Sequence, residues 1–181
     1  MILKKSFYAR LFLAGFLTFI LHEAAHWLVG AAFGFDMQPR LNAVRILSPT
    51  IGWQKALSDI AGPAVTALQA IIALCFIRRA NWLDNRSARK SHTAFAFLYF
   101  AAFMRFVAAF LTPWNPNDEA RVSVFLGLNM WVLPLLVGSA LVVLAWIGSR
   151  RLKLTWKDQV LCYVVTSVTT ALIVGIDRYA F

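Results

Sequence analysis

Apolar residues fall into five long runs along the chain, and the charges gather in the stretches between them. The runs cover residues 11–33, 60–77, 93–111, 122–147 and 159–176. Each is close to or above the roughly 20 residues a helix needs to cross a bilayer. Backbone groups find no water in hydrocarbon, so such runs resolve as helices that bond internally. The pattern predicts an all-α, polytopic membrane bundle of about five transmembrane helices, with residues 1–181 forming one membrane-embedded domain. The second run opens on Ala61-Gly62-Pro63, Pro134 predicts a kink in the fourth, and the fifth is rich in Thr.

The connection at residues 34–57 differs in kind. Pro39, Pro49, Arg40, Arg45 and Lys55 interrupt moderately apolar pieces such as residues 41–47. It is longer than the roughly 2–8 residues usual between helices of a bundle. Two readings stand side by side: short strands or a reentrant dip beside the first helix, or a plain surface loop.

Composition sharpens the class. Hydrophobic residues make up 60% of the chain and charged residues 14%, with mean hydropathy +0.67. An ordinary soluble domain has an apolar share of about 45–50%. The length suits one compact bundle without a second soluble domain. A net charge of +10 raises the question of nucleic acid. The cations sit in short connections, however, where membrane topology and anionic lipid explain them better. Lys4, Lys5, Arg10, Arg78, Arg79, Arg86, Arg89, Lys90, Arg150, Arg151, Lys153 and Lys157 fall on one side of a five-span topology. Arg40, Arg45, Lys55, Arg121 and Arg178 fall on the other. This asymmetry predicts a cytoplasmic N-terminus and an external C-terminus. The basic start of the chain superficially resembles a signal peptide, but its apolar run is too long for one. Cys75 and Cys162 lack metal-binding spacing and read as small buried side chains. Trp27, Trp53, Trp114 and Trp131 suit an interfacial belt.

The first run contains His22-Glu23-Ala24-Ala25-His26. On a helix, positions i and i+4 share a face one turn apart, so both imidazoles reach one Zn²⁺. Glu23 then serves as a base toward water at the metal. Ionisable groups inside a spanning helix are costly without a role. A catalytic zinc needs a third protein ligand. His92 falls at the opposite end of the topology, and Asp36 and Asp59 lie at the correct end without motif context. Asp118 and Glu119, after Asn115-Pro116-Asn117, are the stronger candidates. Arg105, inside the third run, should face the bundle or a water cavity. Either it stabilises an oxyanion of bound substrate, or it pairs with a carboxylate such as Asp118 or Glu119.

HEAAHWLVGAAFGF from His22, then DIAGPAVTALQA from Asp59, then NPND from Asn115, together resemble the site-2 protease family of intramembrane zinc metalloproteases. The resemblance covers roughly residues 11–125, and the HExxH is its specific part. It implies His22, His26 and Asp118 as zinc ligands, Glu23 as catalytic base, and Asn115 as a residue that steadies the substrate backbone. Where the family's Asp is usually followed by Gly, this chain has Glu119, which stays a rival ligand. The function implied is hydrolysis of a peptide bond in or near a transmembrane segment of a membrane protein substrate, in the inner (cell) membrane of a bacterium. Many bacterial members place the site nearer the cytoplasm, whereas the charge asymmetry here puts it toward the outer face. The alternative expectation is a non-proteolytic zinc-containing membrane protein with a binding or regulatory role. A transporter would spread ionisable residues along a path, and this chain concentrates them at one end.

Overall fold

A computed structural model describes residues 3–81 and 84–180. Among the described residues, six helices and one small hairpin appear in the order α1 (Lys5–Ala32), β1 (Met37–Pro39), β2 (Val44–Ile46), α2 (Gly52–Arg78), α3 (Asn85–Leu111), α4 (Asp118–Phe125), α5 (Val132–Arg151) and α6 (Trp156–Ala180). The fold is an all-α bundle, and five of the helices, all except α4, are long and apolar enough to cross a membrane. That is the character of an integral membrane protein. Its outward faces agree: Leu68, Phe76, Leu136 and Trp146 are each more than half exposed, an apolar surface that suits lipid and not water.

The core runs between α1, α2, α3 and α5, around Phe7, Leu11, Ile77, Phe95, Leu98, Phe100 and Leu141. Close approach depends on one small residue in particular. A Cβ at Gly15 of α1 would strike the Phe100 ring and Thr169 of α6, so glycine lets these helices meet.

The helices extend beyond the apolar runs. α1 starts at Lys5, α2 at Gly52 and α3 at Asn85, so their first turns carry polar side chains that lie outside the apolar runs. There α3 is capped by Asp84, whose carboxylate accepts from the amides of Arg86 and Ser87. Ala61-Gly62-Pro63 lies inside α2 and does not open it.

The fourth run is not one helix. It divides into α4 and α5 at a turn spanning residues 126–131, where Gly127 takes φ +73°, a conformation glycine adopts without strain. Pro134 consequently falls in the first turn of α5, where its missing N–H is one of the amides that lack a partner anyway, and it kinks nothing. Cys162 is buried as expected, whereas Cys75 is exposed on the outer face of α2.

The connection after α1 forms strands. β1 and β2 pair antiparallel, Met37 with Ile46, Gln38 with Arg45 and Pro39 with Val44. The final residues of that stretch, 52–57, belong to α2. The hairpin is held at both ends. Gly30 of α1 leaves room for Met37. At the tip, the amides of Leu41 and Asn42 donate to Asp177 Oδ1 of α6 at 2.8 and 3.2 Å.

Candidate metal centre

Helical spacing puts His22 and His26 on one face of α1, 2% and 7% exposed. Their outer nitrogens are committed. His26 Nδ1 lies 2.6 Å from the Ser58 carbonyl, which only accepts, so this nitrogen carries the proton. His22 Nδ1 lies 3.0 Å from Thr66 Oγ1. That hydroxyl donates its own hydrogen to the Gly62 carbonyl at 3.0 Å, so it accepts from His22. In the neutral rings both Nε2 atoms are therefore bare lone pairs, pointing inward. Such outer hydrogen bonds are what fix ring tautomer and direction in metal-ligating histidines.

Asp118 Oδ2 completes a triangle. It lies 3.1 Å from His22 Nε2 and 3.4 Å from His26 Nε2, and the two nitrogens are 3.1 Å apart. Ligands about 2.0–2.1 Å from a tetrahedral metal sit about 3.3 Å from one another, so the three edges fit a single ion. The electrostatics point the same way: three lone pairs converge, and one added proton would serve only one edge. Among the described residues this is the group of three His, Cys, Asp or Glu side chains whose ligand atoms come together. The donor set fits a divalent cation.

Gly62 explains part of the motif on α2. A Cβ there would stand 2.7 Å from His22 Nε2 and 2.5 Å from His22 Cε1, and closer still to His26 Nε2. The backbone of α2 thus backs directly onto the donor atoms.

Asp118 itself is aimed by charge. It opens α4, whose N-cap Asn117 accepts from the amide of Ala120 at 2.9 Å. Its second oxygen, Oδ1, takes a 2.6 Å bond from Arg121, which also holds Asp59 Oδ1 at 3.1 Å. Lys55 closes the chain on Asp59 Oδ2 at 2.6 Å. Burial works against the charge on Arg121, and Asp118 and Asp59 more than offset it, so its pKa lies above the ordinary value.

The other residues anticipated from the sequence separate cleanly. Glu23 lines a cavity of about 450 Å³ shared with His22, His26 and Asp118, and among the described residues its carboxylate makes no hydrogen bond to protein. Asn115 lies exposed at the wall of the same cavity. Glu119 is not in the ligand group. It turns away from the histidines and pairs with Arg105 at 3.2 Å, the two being 1% and 6% exposed. Arg105 also reaches Asp118 Oδ2 at 3.3 Å, so it is an anchor for carboxylates. Asp59 borders the cavity in its ion pairs, and Asp36 and His92 lie outside the cluster. His92 packs near the Phe7 ring at the far end of α3.

Thr66, Ser58 and Arg121 belong to the site without being part of the motifs that mark it in the sequence. Thr66 and Ser58 lie four residues either side of Gly62, a spacing that places all three on one face of α2. Arg121, three residues after Asp118, was equally open to that reasoning.

The buried pair makes a prediction. Removing Glu119 leaves the buried Arg105 guanidinium only its 3.3 Å contact with Asp118 Oδ2, so the loss is part of the roughly 3–5 kcal/mol that breaking a buried pair outright costs. Glu119→Ala is therefore expected to lower thermal stability sharply in detergent, whereas Asp118→Ala should act first on metal content. A Glu119→Ala protein that melts like wild type would show that Arg105 is satisfied without it.

No family model matches the chain, and neither does any curated protein or solved structure.

Proposed function

We propose that the chain is an intramembrane zinc metalloprotease of the site-2 protease type, acting on a peptide bond in or near a transmembrane segment. The observation that carries this reading is the triangle of His22, His26 and Asp118, with Glu23 beside it in one cavity among membrane-crossing helices. Two imidazole nitrogens and one carboxylate oxygen are a usual donor set for catalytic zinc, with a position left open for water.

His22, His26 and Asp118 would hold the ion. When bound, zinc supplies Lewis acidity that lowers the pKa of water from about 15.7 to about 7. Glu23 takes the proton as water attacks the scissile carbonyl, and returns it to the amide nitrogen as the C–N bond breaks. A substrate helix hides its carbonyls in i to i−4 bonds and must unwind first. Met37, Val44 and Ile46 of the hairpin line the cavity, and a free strand edge beside it suits an extended segment added as a third strand. Asn115, at the cavity wall, is placed to hold the backbone of that segment.

The Lys/Arg asymmetry supports a cytoplasmic N-terminus. On that orientation Glu23, Asp118 and the hairpin would lie toward the opposite, outer face of the membrane. The inner membrane of a bacterium is the location this reading implies.

Elemental analysis tests the metal directly. The detergent-purified protein is expected to hold about one zinc per chain, and His26→Ala to hold almost none. A wild-type protein that carries no metal, and takes up none when zinc is added, would sink the proposal.

A further inference from the structure

A second cavity, of about 880 Å³, runs along the outside of the bundle between α2 and α3, from Leu21 and Val65 beside the level of His22 to a mouth at the end opposite the metal centre. Its walls are Leu21, Val65, Leu68, Ile72, Phe76 and Phe97, and four of these (Leu21, Leu68, Ile72 and Phe76) are about half exposed. One end is different. Arg86, Arg89 and Lys90, all exposed, stand on the first turns of α3 and line the mouth. Arg10 of α1 adds a fourth cation by bonding the Arg89 carbonyl at 3.2 Å and Thr93 Oγ1 at 2.9 Å. None of these four makes an ion pair among the described residues. The adjacent acid, Asp84, spends its oxygens on the amides of Arg86 and Ser87.

Depth fits as well as charge. From Arg86 to Phe97 is a rise of about 16 Å along the helix at 1.5 Å per residue. That is about half of a hydrocarbon core roughly 30 Å thick, hence one leaflet. A groove one leaflet deep, apolar along its length and ringed by unpaired cations at headgroup level, has the two halves of an anionic lipid as its complement. Another large external groove, between α3, α5 and α6, has Arg150 as its one cation among the described residues.

We propose that the α2–α3 groove binds one anionic phospholipid. Its phosphate sits among Arg86, Arg89 and Lys90, and an acyl chain lies along Leu68, Ile72 and Phe76. Basic pockets between spanning helices bind acidic headgroups by this combination of charge and apolar contact. The inference does not depend on the metal centre or on proteolysis.

Native mass spectrometry of the full chain, with phosphatidylglycerol or phosphatidylcholine added in detergent, tests it. The wild type is expected to retain one phosphatidylglycerol and to bind phosphatidylcholine far more weakly. Each cation near an anionic headgroup contributes about fivefold, so Arg86→Gln/Arg89→Gln/Lys90→Gln should weaken retention about a hundredfold. The matching triple at the α5–α6 connection, Arg150→Gln/Arg151→Gln/Lys153→Gln, should leave it unchanged. Leu68→Trp, which fills the groove and keeps every charge, should also lose the lipid. All these side chains are exposed or lie at the surface of the groove, so the variants keep the buried core intact. Equal weakening by the two triples would mean that charge acts non-specifically and would overturn the site. So would full binding by Leu68→Trp, or displacement of the lipid by inorganic phosphate alone.

Discussion

Glu23→Gln is expected to lose peptide hydrolysis by about 10²–10⁴-fold, the share a positioned general base contributes, while its zinc content stays at the wild-type level. The two halves come from different atoms. Metal retention would rest on His22, His26 and Asp118, whose donor atoms lie 3.1–3.4 Å apart and do not include Glu23. In the proposed mechanism catalysis would rest on Glu23, whose carboxylate lines the cavity without a hydrogen bond to protein among the described residues. Glutamine has the same shape and cannot accept the proton. The change therefore removes the base and little else. Cleavage of a single-span substrate in proteoliposomes, with metal analysis of the same preparation, reads both quantities. A Glu23→Gln protein with full activity would reject the mechanism. One that loses its metal would make Glu23 a ligand instead.

The elements most legible in the sequence are those set by one helix alone. Spacing of four residues puts His22 beside His26 in any α-helix, and a long apolar run can hardly be anything but a helix in lipid. Depth narrows the third ligand to Asp118 or Glu119, because the alternation of spans carries residues 113–121 to the same end of the bundle as His26, and only the resemblance singles out Asp118. The structure brings Asp118 to both histidines and gives Glu119 to Arg105, a choice that depends on two residues adjacent in sequence pointing in different directions at the start of α4.

What escaped were features that hydropathy does not register. Phe125, Leu126 and Leu128 are as apolar as a helix requires, so the turn at Gly127 that separates α4 from α5 left no gap in the pattern. Hydropathy alone starts α1, α2 and α3 later than the structure does, because their polar first turns fall outside the apolar runs. In the chain of Lys55, Asp59, Arg121 and Asp118 the two end pairs have helical spacing, but the Arg121–Asp59 link that joins α4 to α2 is a tertiary contact that no local pattern encodes.

Gly62→Ala is expected to abolish metal binding, and with it every activity that needs the metal. Taken alone the change should favour folding, since alanine in a helix interior is about 1 kcal/mol better than glycine. Space decides otherwise. The added Cβ would meet His22 Nε2 at 2.7 Å and crowd His26 Nε2 more closely still, so it would occupy the face of α2 against which the donor atoms converge. Both rings are pinned from behind, by Thr66 and by the Ser58 carbonyl, and cannot back away without giving up those bonds. Gly175 of α6 is the control: a Cβ there meets nothing within 4 Å, so Gly175→Ala makes the same chemical change in open space. Zinc titration of the three proteins in detergent, with helix content followed by circular dichroism, separates loss of the site from loss of the fold. Wild type and Gly175→Ala should bind alike, and Gly62→Ala should remain helical and bind no zinc. A Gly62→Ala protein with wild-type zinc affinity would show that the histidine rings do not lie against α2 as described.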